Sequence, residues 1–120
     1  MSTIRVDNFG PSAGGTTYSA RGIAKAWVNF DGTGTIAARD SENVSSLTDN
    51  GVGNYFFNLS SATASTSTSC AGSSRLAVTA NSPYDQVYSN TTSQIGHIHS
   101  ENATATDSAF LWWSIFGDLA

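Results

Sequence analysis

Residues 24–30 alternate strictly, with Ala24, Ala26, Val28 and Phe30 on one side of an extended chain and Lys25, Trp27 and Asn29 on the other. A period of two is the signature of a half-buried strand. The run ends in Asp31-Gly-Thr-Gly34, residue types that accept the positive φ of a tight hairpin, and Thr35-Ile-Ala-Ala38 then resumes the extended pattern. Asp49-Asn-Gly-Val-Gly53 repeats the device before Tyr55, Phe57 and Leu59. Two strand-turn-strand units in succession commit the first half of the chain to antiparallel β-structure.

The rest of the sequence agrees. Leu, Ile, Val and Phe fill 23 of 120 positions, a level that accompanies disorder when net charge is high, yet the net charge is only −4. Serine and threonine fill 33 positions, and short apolar runs are separated by turns. No stretch sustains a 3.6-residue period. The reading is all-β: a small antiparallel β-sandwich, jelly-roll-like, over residues 22–120, preceded by an extended N-terminal arm over residues 1–21. Further strands are expected at 67–72, 76–80, 93–100 and 109–117. Pro83 is expected in a turn over 81–85, and 101–107 is expected to form a polar loop. Within the arm, Ile4 and Val6 suit one short strand, whereas residues 8–17 carry turn and loop chemistry.

The quoted segments resemble the small β domain of bacteriophage tail-fibre and related appendage proteins. The resemblance rests on Ala24-Lys-Ala-Trp-Val-Asn-Phe-Asp-Gly-Thr-Gly-Thr35 and Val44-Ser-Ser-Leu-Thr-Asp-Asn-Gly-Val-Gly-Asn-Tyr55. A leader, Met1-Ser-Thr-Ile-Arg-Val-Asp7, and the closing Ser114-Ile-Phe-Gly-Asp118 extend it. The middle of the chain departs from it, running through Ser and Thr to Cys70 where a proline-containing turn is expected. The resemblance implies a virion component that holds or forms a host-contacting tip, commonly as a trimer, with Ile4, Arg5 and Val6 of the leader attaching it to the particle.

Size and charge narrow the partners. A Met-initiated chain of 120 residues reads as one domain and a whole gene product. So little aliphatic content makes a thin core, for which oligomerisation is a usual remedy. The lone Cys70 forms no internal disulfide, residues 1–20 hold no apolar signal segment, and the longest apolar run, 109–113, is too short to span a bilayer. Five basic residues scattered among nine acidic ones make no phosphate-tracking stripe, so neither nucleic acid nor membrane insertion is expected. The expected location is the virion, after synthesis in the bacterial cytoplasm.

Three groups of side chains are candidates for function. His97-Ile-His99 places two imidazoles on one side of a strand, a spacing at which a metal can be shared. One pair with no cysteine and only Glu101 adjacent does not make a site, and no cofactor or metal is assigned. The ordinary arrangement for both rings is the exposed side of a sandwich strand. With Tyr84 and Tyr88 they are the receptor-surface candidates. Adjacent Trp112 and Trp113 must point to opposite sides. Leu111, Trp113 and Ile115 form the inward set, leaving Phe110, Trp112 and Phe116 as an apolar outer stripe suited to a subunit interface.

Catalysis has little to carry it. No Gly-x-Ser-x-Gly elbow occurs, and Asp31, Asp49, Asp85 and Asp107 read as turn residues. The expectation is a non-enzymatic phage structural protein, a trimeric tail-fibre or tail-tip component in host adsorption. Its partners are further copies of itself, other tail, baseplate or capsid proteins, and a host surface polysaccharide or outer-membrane protein. The alternatives are a capsid decoration protein and, after it, a glycan-degrading enzyme.

Overall fold

In the computed structural model, residues 2–3, 5, 7–10, 13–16, 18–19, 22–75 and 83–120 are described. The strand expected at 76–80, together with Ile4 and Val6, lies outside them. Among the described residues, eleven strands follow in chain order: β1 (Asn8–Phe9), β2 (Tyr18–Ser19), β3 (Ala26–Asp31), β4 (Ala37–Glu42), β5 (Val44–Asp49), β6 (Asn54–Leu59), β7 (Ser69–Ser74), β8 (Pro83–Thr91), β9 (Gln94–Glu101), β10 (Thr104–Ala105) and β11 (Leu111–Phe116). All pairing is antiparallel, and the fold is an all-β sandwich of two packed sheets. One sheet runs β4-β3-β11-β7; the other runs β10-β9-β6-β5, with β8 also paired to β9.

The core forms where the alternation puts it. Ala26, Val28 and Phe30 from β3 meet Tyr55, Phe57 and Leu59 from β6, with Ile95 from β9 and Leu111, Trp113 and Ile115 from β11. Phe30 sits at its centre, edge-on to Tyr55 at 5.3 Å and to Phe57 at 4.8 Å between ring centroids. Such contacts favour the positive ring edge over the negative ring face and add to simple burial. Trp113 lies opposite Val28 on one side and Gly72 on the other, which locks β11 between β3 and β7.

Asn43 turns the chain from one sheet to the other between β4 and β5, at φ 57°. Asparagine tolerates this left-handed conformation better than most residues. Its side chain staples the corner: Nδ2 donates to the carbonyls of Lys25 and Ser61, both at 3.0 Å, and Oδ1 accepts from the Ser61 amide at 2.7 Å.

Four expectations are corrected. The segment 8–17 is bracketed by a ladder, Asn8 opposite Ser19 and Phe9 opposite Tyr18. The polar loop 101–107 contains a hairpin, in which Asn102 and Ala103, both at positive φ, return β10 onto the end of β9. Pro83 opens a nine-residue strand, not a turn. The strand β7 also lies two residues later than expected.

Candidate functional site: a buried Asp85–His97–His99 group

The register of β8 against β9 sets the site. Asp85 lies opposite His99, Val87 opposite His97, and Tyr84 opposite Ser100. Side chains alternate, so Asp85, His97 and His99 point into the sandwich while Tyr84 and Tyr88 take the opposite direction. Both histidines are fully buried, which corrects the expectation of an exposed pair. Of the four receptor-surface candidates, only the tyrosines face outward: Tyr84 is 55% exposed, and Tyr88 is half-buried across Gly96.

One carboxylate oxygen organises the buried group. Asp85 Oδ1 lies 3.0 Å from His97 Nε2 and 2.9 Å from His99 Nδ1, and Oδ2 accepts from the Ser74 hydroxyl at 2.8 Å. Burial alone would raise the carboxyl's pKa. The hydrogen bonds from His97, Ser74 and His99 outweigh it and hold the group at about 2. With Asp85 ionised, each histidine donates through its bonded nitrogen, so the rings adopt opposite tautomers. The second nitrogens, His97 Nδ1 and His99 Nε2, are both buried without a hydrogen-bond partner, with Glu101 Oε1 3.6 Å from the latter. Phe30 and Tyr55 wall the His97 ring at 6.0 and 6.5 Å between centroids.

The backbone around the pair is built to hold it. The amide of His99 donates to the Gly53 carbonyl at 2.7 Å, and the Gly53 amide donates to Asp107 Oδ1 at 2.8 Å. Gly53 has φ +65°, and an added Cβ there would fall on the His99 carbonyl. Asp107 Oδ1 also accepts from the Tyr55 hydroxyl at 2.7 Å, while that hydroxyl lies 3.1 Å from the Gly32 carbonyl. Burial and then this bond to Asp107 push the Tyr55 phenol above its ordinary pKa. Ser74 belongs to β7 in the facing sheet, so its bond to Asp85 closes the seam between the two sheets. Thr68 and Ser89 bond across the same seam, with Cys70, a free half-buried thiol, beside them.

The Ser74 hydroxyl donates to Asp85 Oδ2 and not to a histidine. Among the described residues, no group of three or more His, Cys, Asp or Glu side chains is arranged to hold a metal ion.

The second candidate surface is the outer side of the β4-β3-β11-β7 sheet. Phe110 is 40% and Trp112 42% exposed, whereas Leu111, Trp113 and Ile115 are buried. Phe116 shares the outward side and is half-buried. Trp27 emerges on the same side from β3, diagonal to Trp112 across the ladder. Phe110 is flanked by two cations, with the Arg39 guanidinium 4.6 Å and that of Arg75 5.1 Å from its centroid. Arg39 is anchored by Asp31 Oδ2 at 3.0 Å and by the carbonyls of Phe30 and Ala109. The attachment candidate Arg5 is exposed.

Compared with known protein families, with curated proteins and with solved structures, the chain matches none of them.

Proposed function

We propose that this chain is a structural component of a bacteriophage particle, a homotrimeric tail-fibre or tail-tip module that contributes to adsorption and acts without catalysis. The observation that carries the reading is the exposed aromatic stripe of Phe110 and Trp112, joined by Trp27, on one outer face of a small sandwich. Large aromatics held outward cost solvation free energy unless another surface covers them. In this reading, further copies of the chain cover the stripe. Tyr84 and Tyr88, on the outer side of the other sheet, contact host surface polysaccharide or protein. Three weak contacts per trimer bind by avidity. The same stripe also suits a clamp onto a capsid lattice, the decoration reading.

The direct test is binding of fluorescently labelled protein to cells of the host bacterium. Saturable binding that Tyr84→Ala weakens, with the fold intact by circular dichroism, is the expected result. Absence of binding by a trimeric preparation overturns the adsorption reading.

A further inference from the structure

The adsorption reading has Tyr84 and Tyr88 touch a host polysaccharide or protein, and the charge of the sheet that carries them separates the two. Its five strands hold three carboxylates, Asp49, Asp85 and Glu101. Asp49 stands opposite Tyr55 and Asp85 opposite His99, while Glu101 follows His97 and His99 at a spacing of two. All three therefore take the inner side of the pleat. Among the described residues, the outer side of these strands carries no charged side chain. A solvated protein surface ordinarily mixes both signs of charge. The outer side of the other sheet does carry charge, with Asp40 opposite Asn29 and Glu42 opposite Trp27.

In place of charge there are amides and rings, set in rows across the strands. Asn90 Nδ2 donates to Gln94 Oε1 at 2.6 Å, Gln94 Nε2 to Asn58 Oδ1 at 3.1 Å, and Asn58 Nδ2 to the Ser46 hydroxyl at 2.9 Å. This row links β8, β9, β6 and β5 and fixes the orientation of each amide. A side-chain amide has two N–H donors and two acceptor lone pairs, so every amide in the row keeps hydrogen-bonding capacity to spare. Beside the row the Tyr88 ring lies across Gly96, where an added Cβ would fall on it, and Phe56 stands on the far side of the same glycine. Further along β8 the Tyr84 hydroxyl donates to Gln86 Oε1 at 3.1 Å.

We infer that this face binds an uncharged polysaccharide, with the Asn90–Gln94–Asn58 row hydrogen-bonding sugar hydroxyls and Tyr84 and Tyr88 packing on sugar rings. The inference rests on the adsorption reading and names the class of its receptor. Charge matching selects that class. A protein surface brings ionised side chains, about a quarter of residues overall, and an acidic polysaccharide brings carboxylates. This face offers no counter-charge to either, so their charges would be desolvated unpaired. A sugar hydroxyl both donates and accepts, as each amide does. Amides already bonded in a row also cost less to order on binding, which suits weak contacts repeated along a polymer.

The test is an array of uncharged and anionic bacterial polysaccharides probed with the full-length protein. Alongside it, binding is measured to host cells treated with periodate, which cleaves vicinal diols, or with protease. The expected result is binding to uncharged polysaccharide that is unchanged between about 0.05 and about 0.5 M salt. Gln94→Ala and Tyr88→Ala, with the fold intact by circular dichroism, are each expected to weaken it about tenfold. Asn90→Ala, at the exposed end of the row, serves the same purpose should either variant fail to fold. On cells, periodate is expected to abolish binding and protease to spare it. The inference is overturned, with adsorption left standing, if cell binding is lost to protease and survives periodate. It is equally overturned if the array binds only anionic polysaccharides or none, or if the folded variants bind as tightly as the unmodified chain. Absence of any binding to cells removes the adsorption reading itself, and the inference with it.

Discussion

Asp85 accepts three hydrogen bonds from inside the sandwich, and its energetics follow from that. Its carboxyl titrates at about 2 in the folded chain, below the ordinary value of 3.8. A depressed folded value means that the stabilisation is complete above about pH 4 and is lost as pH falls towards about 2. Asp85→Asn is expected to cost about 1–2 kcal/mol at neutral pH, discounted for partial solvent access, and to flatten the stability profile between those limits. Urea denaturation at a series of pH values reads both. Asn43 supports the corner between the sheets in the same way, through three hydrogen bonds and a left-handed backbone. Asn43→Ala loses all three bonds and strains the turn, for an expected loss of about 2–3 kcal/mol.

Among the elements, β11 separates two kinds of tryptophan. Trp113→Ala empties a core site and is expected to cost about 3–5 kcal/mol, whereas Trp112→Ala is expected to stay within about 0.5 kcal/mol in the isolated domain. In the β9–β10 hairpin, Ala103 sits at φ 62°, where an L side chain is strained. Ala103→Gly is therefore expected to raise stability by about 1 kcal/mol, read as an increase in Tm.

These elements also show how far the amino-acid pattern reaches. The strands β3, β6 and β11 were legible because every second residue in each is apolar and faces inward. The strand β8 was not, because its inward residues are Asp85, Val87 and Ser89, and a buried carboxylate defeats a pattern read from hydrophobicity. The histidine pair failed differently. A period of two puts His97 and His99 on one side, but Ile95 shares that side and Ile98 takes the other, so β9 has an isoleucine on each. Only the pairing partner Asp85, twelve residues away from His97, decides which side is the core.

Across the whole molecule, interior and surface do different work. The core is one layer of aromatic and aliphatic side chains, and polar links between Ser74 and Asp85 and between Thr68 and Ser89 close its seam. A small core with an aromatic outer stripe predicts self-association. Sedimentation equilibrium is expected to give about three times the 12.5 kDa chain mass, falling towards the monomer in Trp112→Ser.

The proposed adsorption role is tested most directly by cryo-electron microscopy of a virion that carries this chain, fitted into the density. In the proposed role, trimers are expected at the tail or baseplate, with Phe110 and Trp112 covered between subunits and Tyr84 free on the outside. Density on the capsid lattice, with the aromatic stripe against the shell, would contradict the adsorption reading and make the chain a decoration protein.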